Sequence, residues 1–268
     1  MDKQAIINDY SKSEDKLLIS KLLDKMNLCK TKNRIEYLDF LDIYQQTLLQ
    51  KIIRQEKITN VIFTGGIEEA ERKLVVFYPE KLSYLIETNM DKVIPIKCIR
   101  IQLPKEMEGQ YTHRQYLGGL MKLGIKRETI GDILVFKDGA DILILEDIEK
   151  FLLANLASLT RFSKARIEVI PLKEVRKKEI NTKKINIIVP SLRLDAVTAE
   201  ILRTSRGKAE DLLKEGRIFI NYECIQKGTK QVKENDIITV RGKGKFKLGK
   251  QEGITKNGRV KLVIYQYI

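Results

Sequence analysis

The hydrophobic period changes at Asn60, and that change limits the possible folds more than any other feature of the chain. Before it, residues 13–28 (SEDKLLISKLLDKMNL) and 40–56 (FLDIYQQTLLQKIIRQE) carry apolar side chains at helical spacing with polar faces between them. After it the apolar runs shorten. NVIFTGG, KLVVFYP and VIPIKCIRIQL read as strands, HRQYLGGLMKLG as a helix, and DILVFKDGADILIL as a hairpin turning at Asp138-Gly139. EDIEKFLLANLASL reads as a second helix and ARIEVIPL as a closing strand. Strands interleaved with helices predict an α+β protein, with a split β-α-β sandwich in the middle. At 268 residues the chain has room for about two domains with real cores, or three small ones. We expect an N-terminal helical segment (1–60), a middle α+β domain (61–172), a basic connector or exposed strand (173–190) and a C-terminal α+β domain (191–268).

Charge narrows the class of partner. The formal net charge is +14, which points to a polyanion, nucleic acid ahead of a membrane surface. The excess is uneven: Leu192 to the end holds 17 Lys and Arg against nine Asp and Glu, whereas Met1 to Asn60 holds 11 against nine. No apolar run approaches the roughly 18–20 residues of a membrane span. The N-terminal MDKQAIINDYSKSEDK lacks a hydrophobic signal core, so a cytoplasmic protein is expected. Cys29, Cys98 and Cys224 are far apart and form no CxxC pair, so they predict neither a zinc site nor a disulfide framework. TGGIEEAERK has two glycines but matches neither GxGxxG nor GxxxxGK[ST], and no cofactor is expected.

Three basic stretches stand out. In TSRGKAEDLLKEGRIFIN, Thr204 or Ser205 caps a helix, Gly216 stops it and a short strand follows. Arg206 and Lys208 fall in the first turn, where the helix dipole disfavours each cation by roughly 0.3–1 kcal/mol. Two readings compete. Either they concentrate positive potential for a phosphate, with Arg193 one helix upstream and Arg217 just past the stop, or they pair locally with Glu210 and Asp211. In RGKGKFKLGK, Arg241, Lys243, Lys245 and Lys247 recur with period two, which predicts a comb of cations on one face of an extended chain or a solvated loop. The third stretch, YTHRQYLGGLMKLGIKRETIGDI, holds the sole histidine, His113, with Arg114, Lys126 and Arg127. Without a second His or a nearby Cys it makes no metal site, and it lacks a recognisable nucleophile to serve as a base; a helix-start or RNA-contact role is expected. Gly118 and Gly119 weaken that helix, which predicts close packing there.

Residues 192–240 resemble the S-four RNA-binding domain: Arg193-Leu194-Asp195, Ser205-Arg206 with Ala209, Gly216 with Asn221, and Asp236 with Ile238 occur in that order. With FTGGIEEAERK, HRQYLGGLMKLGIKRETIGDI and TVRGKGKFK, nearly the whole chain resembles the YlmH family. Departures are Gln115 where the family usually has Asp, Leu74-Val75 after ERK, and Lys243 and Lys245 in the tail. The resemblance implies a helical N-terminus, an RRM-like middle domain and an S-four domain whose helix hairpin sits on structured RNA. It implies RNA contacts from Arg193, Arg206 and Lys208. It also implies a non-enzymatic role on large ribosomal subunits carrying peptidyl-tRNA, supporting C-terminal alanine tailing beside a quality-control elongation factor. A pseudouridine synthase and a generic RNA-binding regulator are the alternatives. Against the first, the chain has one RLD segment, and it lies inside the S-four helix.

Overall fold

The computed structural model describes residues 3–177, 182–221 and 223–268. They form two compact units of mixed helix and sheet, Met1–Lys178 and Glu179–Ile268. The fold class is α+β.

The first unit opens with α1 (Lys3–Asn8), α2 (Ser13–Lys32), β1 (Glu36–Leu41), α3 (Ile43–Gln55), β2 (Val61–Thr64) and β3 (Lys73–Phe77). Helical spacing predicts one helix over 40–56, but Glu36–Leu41 is a strand and α3 starts only at Ile43. Asp42 sets that start. Its carboxylate accepts the Gln45 N–H at 2.9 Å, and Gln45 Oε1 accepts the Asp42 N–H at 2.9 Å, closing a capping box. The three strands form an antiparallel sheet in the order β1-β3-β2. One face packs Leu38, Val75 and Phe77 against Ile19, Leu22, Leu49 and Ile52 of α2 and α3.

The unit continues through α4 (Ser83–Asn89), β4 (Ile96–Gln102), α5 (His113–Lys122), β5 (Ile130–Phe136), β6 (Gly139–Leu145), α6 (Glu149–Asn155) and β7 (Arg166–Ile170). Strands β4 to β7 make an antiparallel sheet in the order β5-β6-β4-β7. The hairpin turns at Lys137-Asp138, one residue before the expected place, with Phe136 opposite Gly139. Gly139 has φ of 147°, and a Cβ there would lie 1.9 Å from the Ile101 carbonyl oxygen of β4, so only glycine fits. One sheet face packs Ile99, Ile101, Ile142 and Ile144 against Tyr116, Leu120, Leu152 and Phe162. The other packs Cys98, Leu143, Leu145 and Ile170 against Phe40, Leu74 and Val76 of the three-stranded sheet. Both sheets are therefore covered on both sides, which is why KLVVF and GADILIL are apolar without alternation.

Two arginine–aspartate sets hold this stack, the first half-buried and the second built on a buried carboxylate. The Asp132 carboxylate accepts the Glu71 and Arg72 N–H groups at 2.7 and 3.0 Å, while Arg72 donates to the Phe40 and Ile130 carbonyls at 2.7 and 3.0 Å. Gly65 in the same loop would, with a Cβ, meet Ala70 Cβ at 2.2 Å, so TGGIEEAERK is a packing device. Asp141, fully buried, takes ion pairs from Arg100 at 2.8 Å and Arg176 at 2.9 Å. Arg176 also reaches Asp138 at 2.6 Å and stacks over Phe136 at 4.0 Å. The stretch read as a polar connector is thus pinned to the first unit up to Arg176. From Thr182 it is a strand of the second unit, and residues 178–181 lie outside the described residues.

The second unit comprises β8 (Thr182–Val189), α7 (Leu194–Ile201), α8 (Arg206–Lys214), β9 (Ile218–Ile220), β10 (Glu223–Cys224), β11 (Ile237–Val240), β12 (Gly244–Ile254) and β13 (Val260–Tyr267). Its strands form one antiparallel sheet in the order β10-β9-β11-β12-β13-β8. Ile187, Val189, Ile220, Ile238, Phe246, Leu248, Leu262 and Ile264 line one face and pack on Leu194, Val197 and Leu213 of the two helices. Among the described residues no helix is long and apolar enough to cross a membrane.

Candidate nucleic-acid interface

The two helices of the second unit start where local chemistry says they should. Ser205 Oγ accepts the Lys208 N–H at 3.3 Å and caps α8, and Gly216, with φ of 66°, ends it. Helix α7 begins at Leu194, with Arg193 at its N-cap.

Arg193 and Arg206 meet on one group, Asp195. Its carboxylate is fully buried and accepts Arg193 Nη2 at 2.7 Å, Arg193 Nε at 3.2 Å and Arg206 Nη2 at 2.8 Å. The Ala196 N–H adds a further bond at 2.7 Å. Burial alone would raise this carboxyl, but the hydrogen bonds from the two guanidinium groups outweigh it and hold the pKa down at about 2. Gly228 lets the neighbouring loop lie against the pair: a Cβ there would sit 2.9 Å from Asp195 Cβ. The Gly228 and Lys230 carbonyls accept the Asp195 and Leu194 N–H groups at 3.1 and 2.8 Å.

This arrangement accounts for a cation in the first turn of α8. Arg206 answers a buried carboxylate eleven residues upstream, not Glu210 one turn on. The trio still carries one net positive charge. The side chains of Arg193 and Arg206 remain 33% and 48% exposed, and a guanidinium has five N–H donors, so each keeps donors for a phosphate. Lys208 is exposed, and among the described residues its side chain enters no ion pair with Asp211 or any other acid. Two guanidinium groups held on a buried carboxylate and an exposed ammonium thus stand beside a helix N-terminus, the chemistry that an anion would need.

The other predicted cations fall elsewhere. Arg217 donates to the Arg241 carbonyl at 2.9 Å and lies 3.4 Å from Glu215, so it braces the turn after β11. The comb is split. Arg241 and Lys243 lie in that turn, with Gly242 at φ of 77°, whereas Lys245 and Lys247 share one face of β12 and Phe246 and Leu248 the other. Arg241 stacks over Phe219 at 4.7 Å and Lys245 lies over Tyr267 at 5.2 Å. These aromatic partners were not legible as a set, although the alternation in KLVIYQY places Tyr265 and Tyr267 opposite the buried Leu262 and Ile264.

In the first unit His113 and Arg114 open α5, exposed, and Lys126 is exposed in the following loop. Gln115 Oε1 accepts the Thr112 N–H at 2.8 Å, so Gln115 closes the capping box that Thr112 opens at the start of α5. Gly119 packs tightly, since a Cβ would meet Phe162 Cε2 at 3.1 Å, but Gly118 faces open space. Arg127 turns inward. It donates to the Ile130 carbonyl at 2.6 Å, and burial together with neighbouring Arg72 lowers its pKa to about 10. Its side chain serves packing, which removes it from a surface shared with Lys126. The sheet of this unit offers no open face to a base, because both faces are core.

Residues 94–174 match the family model described as the RNA-binding domain in YlmH. The chain is 29% identical over 255 residues to the ribosome-associated protein quality control protein P2 of Bacillus subtilis (strain 168), covering 94% of this chain and 95% of that protein. The solved structure of the cell division protein ylmH from Streptococcus pneumoniae aligns with 62% of this chain and 98% of its own, at 18% identity and a TM-score of 0.48. Fold and family match together define an α+β protein carrying an RNA-binding domain. The chain matches the RNA-binding domain of YlmH at residues 94–174 and is similar over most of its length to the Bacillus protein.

Proposed function

We propose that the protein binds rRNA and tRNA on the large ribosomal subunit, in the cytoplasm, and serves ribosome-associated quality control by supporting C-terminal alanine tailing of stalled chains. A peptidyl-tRNA and a quality-control elongation factor are its partners there. The name of the Bacillus relative supports the pathway, and the charge of +14 supports a polyanionic partner. In this reading the second unit is an S-four-type domain and residues 94–174 an RRM-like domain that presents its helix-side cations, His113, Arg114 and Lys126. Arg193, Arg206 and Lys208 take phosphates of structured RNA. Arg217, Arg241, Lys243, Lys245 and Lys247 extend the positive field.

The observation that carries the reading is the pair of guanidinium groups fixed on Asp195 beside the start of α8. The protein acts as a binder in this account. Asp195, the residue that mimics a synthase nucleophile, is fully buried and committed to two arginines, so no base can reach it. The test is a salt titration of RNA binding. Arg206→Glu would place a carboxylate against buried Asp195 and confound folding with binding, whereas Lys208→Glu does not. Lys208→Glu is expected to weaken binding to a structured RNA and to flatten the log–log salt slope by about 0.7–0.9 for the lost phosphate contact. An unchanged slope would remove the α8 N-terminus from the interface.

A further inference from the structure

The sheet of the second unit has a second face, turned away from α7 and α8, and its chemistry is not that of an ordinary solvated surface. Cross-strand pairing sets it out in two rows. In one, Phe219 of β9 lies opposite Thr239 of β11, which lies opposite Lys245 of β12, whose ammonium sits 5.2 Å from the Tyr267 ring of β13. In the other, Ile237 lies opposite Lys247, Lys247 opposite Tyr265, and Tyr265 opposite Lys184 of β8. Arg241 closes the end of the first row over Phe219 at 4.7 Å. The aromatic rings are half-buried, not sealed in a core.

A half-exposed sheet needs side chains with strand propensity, and Tyr and Thr satisfy that need alone. It does not need every ring flanked by a cation. At the edge of this face Lys184 lies 3.4 Å from Glu252. Rings that offer a π-face, ringed by Lys and Arg, are the elements with which proteins hold single-stranded nucleic acid: bases stack on the rings and the cations track the backbone. Tyr265 and Tyr267 are two residues apart on one strand, about 6.5–7 Å, so they present adjacent platforms on the same face.

We propose that this face binds single-stranded RNA, with bases stacked on Tyr265, Tyr267 and Phe219 and the backbone held by Lys245, Lys247 and Lys184. It is a second RNA surface, separate from the anion site at the start of α8. The proposal rests on the reading of the chain as an RNA-binding protein, and its test separates the two. Binding of the full chain to an unstructured pyrimidine 12-mer RNA and to a fully paired RNA hairpin is measured by fluorescence anisotropy. The variants are Tyr265→Leu/Tyr267→Leu, Tyr265→Phe/Tyr267→Phe and Lys208→Glu. Because the chain has no Trp, its tyrosine emission can be followed, and the part of the quenching lost in the leucine pair reports stacking on Tyr265 and Tyr267.

The leucine pair is expected to weaken 12-mer binding at least about tenfold and to abolish quenching of tyrosine emission, with hairpin binding kept within about twofold. The phenylalanine pair, which keeps both rings, retains 12-mer binding. Lys208→Glu shows the opposite pattern, losing the hairpin before the 12-mer. Unchanged 12-mer binding by the leucine pair overturns the sheet-face proposal and leaves the helical site standing. Loss in the phenylalanine pair equal to that in the leucine pair overturns stacking. Failure of the parent protein to bind either RNA at low salt overturns the RNA reading itself and this proposal with it.

Discussion

Asp195→Asn is the substitution that the structure predicts most sharply. Asparagine keeps the shape of the side chain and an oxygen for the Ala196 N–H, but removes the charge that Arg193 and Arg206 answer. The carboxyl titrates at about 2 in the folded protein against an ordinary 3.8. At about 1.4 kcal/mol per pH unit, that depression corresponds to about 2.5 kcal/mol of stability near neutral pH. Loss of one partner from a wholly buried pair costs roughly 3–5 kcal/mol. Here the arginine side chains are 33% and 48% exposed and can turn to water, so the smaller figure applies. The sign follows from the direction of the shift. A carboxyl whose folded pKa is depressed stabilises the fold above its unfolded pKa and loses that contribution as pH falls through the folded value. The gap between parent and variant is therefore full above about pH 5 and closes between about pH 4 and pH 2. Urea unfolding followed by circular dichroism reads it as a midpoint lower by about 1–2 M at pH 7. A variant as stable as its parent at pH 7, or a gap unchanged down to about pH 2.5, would refute the clamp.

Other substitutions follow from the packing of the first unit. Gly118→Ala should raise stability by about 0.5–1 kcal/mol, since the added methyl meets nothing within 4 Å and the helix gains propensity. Gly119→Ala, beside Phe162 at 3.1 Å, should lower it, and thermal unfolding of the pair of variants separates the two. Arg176→Ala leaves fully buried Asp141 with Arg100 as its remaining ion-pair partner among the described residues. It should cost about 2–4 kcal/mol and expose residues 171–177 to proteolysis. Gly139→Ala drives a Cβ into the Ile101 carbonyl and should abolish soluble expression, whereas Asp138→Gly in the same turn should not.

Much of the element order was legible because its signals are local. Ser205 and Gly216 bound α8 through bonds made within a few residues, and the short apolar runs from Asn60 onward are strands of three sheets. The strand Glu36–Leu41 was hidden by its neighbours. Leu38 and Leu41 face the helices while Phe40 faces the four-stranded sheet, so its apolar residues break simple alternation and merge with the stripe of α3. The anion site was half legible. Charge and the cap point to Arg206, but the approach of Asp195 depends on a loop at Gly228 that no local pattern predicts. Arg127 shows the converse. A basic residue beside Lys126 reads as surface, yet the Ile130 carbonyl and the buried strand start draw it inward. The rows on the open face join β8, β9, β11, β12 and β13, and such non-local pairing leaves no trace in a linear pattern.

The central claim is that this protein grips RNA of the large ribosomal subunit. The most direct test is crosslinking in cells with sequencing of the bound RNA, paired with sucrose-gradient fractionation of the same lysates. Reads concentrated on large-subunit rRNA and tRNA, with the protein co-sedimenting with the large subunit and released by Lys208→Glu, are the predicted result. Reads scattered over mRNA and small RNAs, with the protein at the top of the gradient, would contradict it.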